Sequence, residues 1–395
     1  MTTDFDNTEI AFRYRTIKEL KRGRFLFSFM SSPWLSLIGI KIVKLSMALH
    51  LPITWLLRNT IFALFCGGET LKETAHATSI IGRYNVDTIL DYGVEGKEND
   101  KEFDRAVPEF IKAIHYAASQ KHIPFISLKI TGFARFALLE KIHSSSTLTF
   151  EETKEWELVY KRIDEICGTA VQHHIMVLID AEETWILDPC NQLTEAMMEK
   201  YNKERVTVFN TYQLYCHGTL PFLKGSVERA KKNGYILGAK LVRGAYMEKE
   251  RARAEEIGYP DPIQPDKAST DKDYDEAILF CLQHLDELAL FIGTHNEQSC
   301  VKAVFYMKQY CIEHDSKHVF FSQLYGMSDN ISFNLANDSY RVSKYLPYGP
   351  IKDVIPYLVR RAQENTSVAG QTNRELILIN KEIKRRKQEI EILKL

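Results

Sequence analysis

The runs IMVLIDAE (175–182), VTVFNTYQLY (206–215) and GYILGAKLVRG (234–244) are apolar, rich in β-branched residues and separated by charged stretches with helical periodicity. Five further runs of this kind lie at 88–95, 124–131, 288–295, 318–326 and 341–349. Helix-patterned stretches lie at 103–120, 150–172, 192–204, 220–232, 271–285, 296–312, 328–336 and 350–365. Strand followed by helix, eight times over, predicts an α/β fold of the (βα)8 TIM-like barrel type.

A doubly wound open sheet is the alternative architecture for an alternating pattern. Such a sheet normally has fewer strands, and a nucleotide-binding one carries a glycine-rich phosphate loop after its first strand. Here GKENDKEF (96–103) follows the first strand, without GxGxxG, and no GxxxxGK[ST] occurs in the chain. The barrel is therefore the prediction.

Charge and cysteine content narrow the function classes. The 395 residues include 51 Lys and Arg against 52 Asp and Glu, a formal net charge of −1. This balance disfavours nucleic-acid binding, because phosphate recognition needs a basic surplus. The 7 cysteines lie singly and lack zinc-ligand spacing, which predicts free thiols in a reducing compartment and no metal site. The acidic start MTTDFDNTEIAF fits neither a secretory signal nor a transit peptide.

The sequence predicts three parts: an N-terminal helical region (1–85), the barrel (86–366) and a C-terminal helical tail (367–395). Residues 25–66 are the most apolar part, but no uncharged run there reaches the roughly 20 residues of a membrane span. A bundle of buried helices packed on the barrel is the first interpretation of this region. A surface that meets a membrane interface is the second.

The tail is expected to begin as a loop, TSVAGQTN (366–373), and to continue as a helix with Asn373 as its N-cap. The KRRK cluster (384–387) in that helix is expected to be a solvated face. Contact with anionic lipid is the alternative for the cluster.

Polar side chains stand where the predicted strands end. Active sites of (βα)8 barrels lie at this carboxyl end, whereas a sealed barrel end would show Val, Ile and Leu. In chain order the ends carry Asp91, Lys129, Asp180 with Glu182, Gln213 with Tyr215, Lys240 to Tyr246, Thr294 to Asn296, Gln323 to Tyr325, and Tyr345 to Gly349. This ring of polar groups predicts a site at the mouth of the barrel.

The stretch YLPYGPIKDVIPYLVRRAQEN (345–365) is the most specific in the chain. On a helix Tyr357, Arg360, Arg361 and Glu364 share one face. Adjacent guanidinium groups suit a carboxylate or a phosphate through bidentate hydrogen bonds. The alternative is an ordinary surface pair between Arg360 and Glu364, four residues apart.

A second motif, KLVRGAY (240–246), ends the strand that begins GYILGA. It brings Lys240 and Arg243 to the strand end, followed by Gly244. Glycine there permits a flat ligand to approach the backbone closely. The alternative is an ordinary turn after a barrel strand.

These two motifs, in this order, resemble the flavin-dependent proline dehydrogenase family. ISLKITG (126–132), LIDAEE (178–183), QLY (213–215), GTHN (293–296) and QLYGM (323–327) match further strand-end motifs of that family in sequence. The resemblance covers about residues 60–366, with weaker matching at both termini.

The resemblance implies FAD bound without a covalent bond at the C-terminal mouth of a distorted (βα)8 barrel. It implies oxidation of L-proline to 1-pyrroline-5-carboxylate by hydride transfer to the flavin N5, the first step of proline catabolism to glutamate. The expected partners are L-proline and a membrane quinone or other electron acceptor. The expected location is cytoplasmic, or mitochondrial in a eukaryote, with peripheral contact at the inner face of a membrane left open.

Position by position, the resemblance implies three groups of site residues. The catalytic group is Lys129, Asp180 and Arg243. Arg360 and Arg361 would hold the substrate carboxylate, and the walls around the substrate ring would be Tyr345, Leu324, Tyr246 and Tyr357. The FAD group is Ala181, Gln213, Lys240, Val242, Arg243, Gly244, Ala245, Thr270, Thr294, His295, Asn296 and Glu364.

Two positions decide finer points of the resemblance. Some family members carry Arg where this chain has Lys240 and Lys where it has Arg243, which keeps the charges but changes the donor geometry. Related hydroxyproline oxidases have a smaller residue at the position of Tyr345. A tyrosine there favours proline, because it would crowd a ring hydroxyl. Oxidation of hydroxyproline or a related cyclic imino acid is the alternative.

Two other classes remain open on the residues alone. A barrel enzyme could use Lys129 or Lys240 as a Schiff-base nucleophile in an aldolase-type reaction. A non-catalytic protein could dock to membranes through residues 25–66 and the tail, but this leaves the polar ring at the strand ends unexplained.

Overall fold

The computed structural model describes residues 3–49, 54–93, 98–367 and 369–392, without side-chain detail for residues 362–372 and for part of Pro33–Ala48. Eight parallel strands close into a barrel in chain order. They are β1 (Val86–Tyr92), β2 (Phe125–Lys129), β3 (Met176–Asp180), β4 (Val208–Gln213), β5 (Leu237–Val242), β6 (Leu288–Gly293), β7 (Val319–Leu324) and β8 (Val342–Tyr348). Each overlaps the run that predicted it, so the predicted (βα)8 barrel is confirmed.

Helices precede and connect these strands. Before the barrel lie α1 (Thr8–Phe12), α2 (Ile17–Met30), α3 (Pro33–Ala48), α4 (Thr54–Leu57), a π-helical turn (Arg58–Phe62), α5 (Ala63–Phe65) and α6 (Leu71–Gly82). Within it lie α7 (Asp100–Ala118), α8 (Phe136–His143), α9 (Phe150–Gln172), α10 (Leu187–Tyr201), α11 (Thr219–Asn233), α12 (Met247–Ile257), α13 (Lys267–Gln283), α14 (Glu297–Gln309) and α15 (Asp329–Asn337). After β8 follow α16 (Ile351–Ser367) and α17 (Ala369–Ile392). The sequence pattern had not predicted α8 or α12.

The barrel has an inner and an outer core because strand side chains alternate between its two faces. The inner core is largely aromatic, and the rings of Phe125, Phe209, Phe291 and Phe320 lie edge-to-face or stacked on one another. The outer core joins the strands to the surrounding helices. These aromatic residues fill the interior of the barrel below its carboxyl end.

Helix α16 departs from the regular barrel pattern. It packs against α2, α3, α4 and α17, in a second apolar cluster separate from the barrel core. Its Val354 lies over Gly93, just after β1, where an added Cβ would come within 2.9 Å of the valine side chain. Glycine at this position therefore lets α16 approach the carboxyl ends of β1 and β8, at the mouth of the barrel.

The N-terminal helices and the tail pack on this same end of the molecule, because α17 contacts α1, α2 and α16. Among the described residues, no helix combines the length and the apolarity that crossing a bilayer requires. The division into residues 1–85, 86–366 and 367–395 stays a prediction.

The prediction for the tail was wrong in two respects. The segment 366–373 is not a loop in its described part, because α16 extends to Ser367 and α17 starts at Ala369. The KRRK cluster is not simply a solvated face. Arg386 donates to the backbone oxygens of Phe12 and Arg15, and the guanidinium groups of Arg385 and Arg386 bind the buried carboxylate of Glu382. Sequence could not show the contacts of Arg386 with Phe12 and Arg15, because those partners lie about 370 residues away in the chain.

Candidate active site at the carboxyl end of the barrel

The carboxylate of Asp180, at the end of β3, lies at the centre of the site. Its Oδ1 is 2.5 Å from the Lys240 ammonium nitrogen, and its Oδ2 accepts a hydrogen bond from the Tyr345 hydroxyl at 2.7 Å. The Lys129 nitrogen lies 3.8 Å from Oδ2, because Lys129 and Asp180 are opposite each other in the pairing of β2 with β3. Side chains from four strands therefore meet at one carboxylate.

Burial and charge oppose each other at this carboxylate. Burial penalises the ionised form, but Lys240 and Lys129 outweigh that penalty and hold the pKa of Asp180 below its ordinary value. Burial, followed by the charge of Asp180, raises the pKa of Tyr345 well above its ordinary value. Asp180 is thus an anion that accepts, and Tyr345 is a neutral phenol that donates.

A second carboxyl group, Asp91 at the end of β1, lies beside this centre. Its Oδ1 accepts a hydrogen bond from the Ser127 hydroxyl at 2.9 Å. Burial raises the pKa of Asp91; Lys129 lowers it and Asp180 raises it further, which places Asp91 within electrostatic reach of both. The position of Asp91 at a strand end was visible in the sequence, but the family pattern did not assign it.

One wall of the site comes from β7 and β8, where Leu324 and Tyr345 are opposite each other in the strand pairing. The Tyr345 ring also lies 5.4 Å from the Lys240 nitrogen. Since its hydroxyl is held by Asp180, the ring has a fixed orientation at the mouth. Leu324 and Tyr345 thus form an apolar wall next to a charged centre.

Helix α16 brings Arg360 and Arg361 to this end of the barrel. The Arg360 guanidinium lies 5.8 Å from the centre of the Tyr246 ring, and the Arg361 guanidinium lies 5.1 Å from that of Tyr357. Arg361 is 8% exposed and lies close enough to His295, after β6, to act on its charge. Glu364, predicted on the same face, lies outside the residues whose side chains are described.

Arg243, directly after β5, organises a second group of polar side chains. Its guanidinium donates to Asp271 at 2.8 Å, to the Thr294 hydroxyl at 2.7 Å and to the Ser299 hydroxyl at 3.0 Å. Asn296 joins this group as the N-cap of α14, where its side chain accepts from two backbone N–H groups. Arg243 is therefore directed towards β6 and α14, away from the Asp180 carboxylate that Lys240 binds.

His295 is held neutral between these groups. Burial, and then the charges of Lys344, Arg361 and Arg243, lower the pKa of His295 to about 3. Its Nδ1 lies 2.9 Å from the Ser328 hydroxyl, and its Nε2 faces the backbone N–H of Leu324 at 3.5 Å. An accepting Nε2 places the proton on Nδ1, so His295 can donate to Ser328.

The residues present fit a flat, anionic cofactor such as FAD. Gly244 has a φ of +137°, and an added Cβ would fall 2.2 Å from the Tyr215 ring, so only glycine gives this backbone path at the rim. Gln213 pairs in register with Val242, and its Nε2 donates to the backbone oxygen of Glu182 at 2.7 Å. Lys240 and Arg243 supply cations within the same strand end.

Other predicted cofactor residues are not drawn into these contacts. Thr270 lies in α13, and its hydroxyl donates to the backbone oxygen of Asp266 at 3.2 Å. Ala181 and Ala245 lie on the partly exposed rim beyond β3 and β5. Sequence reasoning also missed Asp271, Ser299 and Ser328, because they lie on helices or at a helix start and not at the strand ends that were searched.

A closed eight-stranded parallel barrel with polar groups gathered at its carboxyl end defines a barrel enzyme. Residues 74–374 match the family model described as proline dehydrogenase, and the chain belongs to that oxidoreductase family.

The relatives agree with this assignment. Mitochondrial proline dehydrogenase 1 of Dictyostelium discoideum is 32% identical over 384 residues, which cover 86% of this chain and 67% of that protein. The hydroxyproline dehydrogenase of Xenopus laevis is 30% identical over 412 residues, covering 95% of this chain and 88% of that protein.

Among solved structures, proline utilization A from Bdellovibrio bacteriovorus, inactivated by N-propargylglycine, superposes with a TM-score of 0.69 at 19% identity. The match covers 78% of this chain and 32% of that one, so this chain spans about a third of that longer protein. At this identity the match shows the shared barrel fold alone.

Proposed function

We propose that this chain oxidises L-proline to 1-pyrroline-5-carboxylate with FAD, the first step of proline catabolism to glutamate. The observation that carries the proposal is the meeting of Lys129, Lys240 and Tyr345 at Asp180, at the same barrel end as Arg360 and Arg361. When bound, FAD would accept a hydride from the carbon next to the proline nitrogen. Gln213, the backbone after Lys240, and the group around Arg243 would hold it.

The two arginines of α16 supply what a substrate carboxylate needs. A guanidinium donates two parallel hydrogen bonds to a carboxylate, and this fixes both position and orientation. Arg361 is buried against Tyr357, so that its flat group is held rather than free to rotate. A bound imino acid would thus be anchored by its carboxylate, with its ring directed towards the wall of Leu324 and Tyr345.

The cations around Asp180 favour the reactive form of the substrate. An amine must be neutral before a hydride can leave the neighbouring carbon. Positive charge from Lys129 and Lys240 disfavours the protonated amine and so lowers the pKa of the bound substrate nitrogen. The same charges would stabilise an anionic reduced flavin.

Proline is preferred over hydroxyproline in this proposal because of Tyr345. Its hydroxyl is fixed on Asp180, and a ring hydroxyl on the substrate would have to displace the phenol or break that hydrogen bond. Hydroxyproline is the alternative substrate, because the Xenopus relative is named hydroxyproline dehydrogenase.

The geometry also bears on the Schiff-base alternative. A nucleophilic lysine has to be free to attack a carbonyl carbon, but the Lys240 nitrogen is engaged with the Asp180 carboxylate at 2.5 Å. This arrangement supports a role for the lysine as a fixed cation.

We further infer that the electrons pass to a quinone-type acceptor. The site would then operate at the inner face of a membrane, in the mitochondrion if the source is a eukaryote.

The test is to purify the full chain, record its absorption spectrum and add L-proline without oxygen. We expect the two visible bands of an oxidised flavin and their loss on addition of L-proline, with a much slower loss for hydroxyproline. A colourless preparation that remains colourless after incubation with FAD, or a flavin that L-proline does not bleach, would overturn the proposal.

A further inference from the structure

A cavity of about 390 Å³ lies at the amino end of the barrel, on the opposite side from the candidate active site. Its floor is apolar, because it is formed by Phe209, Ala289 and Phe320 of the inner core, each of which is at most 5% exposed. Its rim comes from the segments just before β3, β4, β7 and β8. Sites for small molecules occupy about 300 to 1,000 Å³, so this cavity is large enough to hold one.

The rim of the cavity carries more positive than negative charge. Arg205, Lys317 and Arg341 line it, and among the described residues of the lining Glu204 is the only acid. The chain as a whole has a formal net charge of −1, so this excess of cations is local. Positive charge gathered at a concave surface attracts anions.

The two arginines of the rim are held in place by the backbone and not by carboxylates. Arg205 donates to the backbone oxygen of Val171 at 3.0 Å, and Arg341 donates to that of Asp315 at 2.7 Å. In the part of the chain that the structure describes, neither these arginines nor Lys317 forms an ion pair with an acid. An anion that enters the cavity would therefore find positioned donors whose charge is not neutralised.

Stability alone does not account for this rim. The amino end of a (βα)8 barrel ordinarily contributes to the stability of the fold. Like charges around one cavity do not serve that purpose, since they repel one another unless an anion lies between them. The charge of the rim therefore points to a ligand.

Floor and rim together define the chemistry of that ligand. The Arg341 guanidinium lies 6.0 Å from the centre of the Phe320 ring, so the cationic and the apolar parts of the cavity adjoin. An inorganic anion would leave the apolar floor uncovered, and an uncharged molecule would leave the cations without a partner. A carboxylate or a phosphate ester on an apolar body satisfies both parts.

We propose that the amino end of the barrel holds a second binding site, which takes a small organic anion with an apolar body. The site is separate from the proposed proline site, because a layer of packed rings lies between the two ends of the barrel: Phe125, Phe209, Phe291 and Phe320. Binding at the amino end requires no turnover, so this proposal and the proposed function can fail independently.

The experiment is titration calorimetry of the full chain with isophthalate, a flat ring that carries two carboxylates. Phenyl phosphate is titrated in parallel, because it presents the other acid group on the same kind of apolar body. We expect saturable binding of at least one of the two, with a Kd below about 1 mM. Isophthalamide has the ring without the charge, and inorganic phosphate has the charge without the ring. Each of these should bind at least about tenfold more weakly than the better organic anion.

The variant Arg205→Met/Lys317→Met tests the rim. Both side chains are exposed, so their replacement should leave the fold intact. We expect the organic anion to bind at least about fivefold more weakly, because two cations are lost. The matched control is Arg105→Met/Lys161→Met, which removes one exposed arginine from α7 and one exposed lysine from α9. The control should bind the anion as wild type does.

A further variant separates the two ends of the barrel. The proposed proline site also contains arginines that suit a carboxylate, so an organic anion has to be assigned to one end or the other. The binding that Arg205→Met/Lys317→Met weakens should persist with unchanged affinity in Arg361→Met.

Three results would overturn the proposal. The first is a wild-type chain that binds neither isophthalate nor phenyl phosphate saturably. The second is isophthalamide or inorganic phosphate that binds as tightly as the organic anions, because charge and apolar body would then not be recognised together. The third is binding that persists in Arg205→Met/Lys317→Met and is lost in Arg361→Met, because the anion would then occupy the mouth. A failure to oxidise proline with this binding intact would count only against the proposed function.

Discussion

Two clusters of charged side chains, each with a buried lysine, lie on opposite faces of β8. They differ in how far a ligand can reach them. At the mouth, Lys240 and Lys129 bind Asp180, and their side chains are 8% and 13% exposed. On the opposite face of β8, Lys344 binds Asp329 at 3.0 Å, and the lysine side chain is 1% exposed. Consecutive residues of a strand point to opposite faces, so Tyr345 belongs to the first cluster and Lys344 to the second.

The second cluster is closed on all sides. Arg15, between α1 and α2, lies 2.8 Å from Asp329, and Glu375 of α17 accepts a hydrogen bond from the backbone of Ser328. Lys344 also donates to the backbone oxygen of Leu324 at 3.4 Å. This cluster ties both ends of the chain to the barrel, whereas the first lies open towards the mouth. The difference teaches that a buried ion pair becomes a candidate for chemistry when a ligand can reach it.

The largest expected effect comes from the same substitution at the two lysines. Lys240→Met should lower kcat/KM for proline by about a hundredfold or more and cost less stability than Lys344→Met, since the Asp180 side chain is 14% exposed and the Asp329 side chain 2%. Lys344→Met should lower the free energy of unfolding by about 3 to 5 kcal/mol, because it leaves a fully buried carboxylate with one partner fewer. Steady-state kinetics and urea unfolding of both variants check this.

The comparison between the two clusters would be wrong if the effects were exchanged. A Lys344→Met protein with wild-type unfolding, or a Lys240→Met protein with wild-type kinetics, would show that exposure does not separate the two roles.

The next effect concerns the arginines of α16. Arg361→Met should raise the KM for proline by about tenfold to a hundredfold while FAD is still bound, because the variant loses a charged hydrogen-bond donor for the carboxylate. Kinetics and the flavin absorbance of the purified variant measure the two properties separately. Arg341→Met, which lies just before β8 at the amino end of the barrel, is the matched control. Unaltered proline kinetics in Arg361→Met would remove the arginine from the substrate site.

A smaller effect is expected at the wall. Tyr345→Ser should improve hydroxyproline relative to proline, in kcat/KM, by about tenfold, because it removes the ring that would crowd a substrate hydroxyl. The ratio of the two kcat/KM values in wild type and variant is the measurement. Equal ratios in both would reject steric selection by Tyr345.

The smallest effect tests the closed cluster through pH. Burial, and next the charge of Asp329, raise the pKa of Glu375 to about 7. The pKa of such an acid is higher in the folded state than in the unfolded state. The free energy of unfolding therefore falls as pH rises from the lower value towards the higher one, because the unfolded chain releases the proton more readily. Glu375→Gln should therefore gain stability relative to wild type between pH 5 and pH 8, by about 1 to 3 kcal/mol.

Urea unfolding of both proteins at these two pH values measures the change. Glu391→Gln, near the exposed end of α17, is the matched control and should show no such trend. A difference between Glu375→Gln and wild type that does not vary with pH would contradict a near-neutral pKa for Glu375.

Local signals in the sequence were enough to predict the barrel and to select many of the candidate site residues. The period and composition of eight runs predicted eight strands, and the rule that barrel sites lie at strand ends brought Lys129, Asp180, Lys240 and Tyr345 under consideration together. The same rule could not identify Asp271 or Ser299, because they lie on helices and contact Arg243 from there. The predicted site roles themselves stay predictions until they are tested in solution.

By itself, the sequence determined which residues alternate along each strand, where each strand ends, and which functional groups stand there, since these depend on neighbours in the chain. Only the tertiary structure decided that Tyr345 bonds to Asp180 and Lys344 to Asp329, that α16 lies at the mouth, and that cations surround a cavity at the amino end of the barrel. Those outcomes depend on contacts between residues far apart in the chain, and such contacts leave no periodic signal in the order of amino acids.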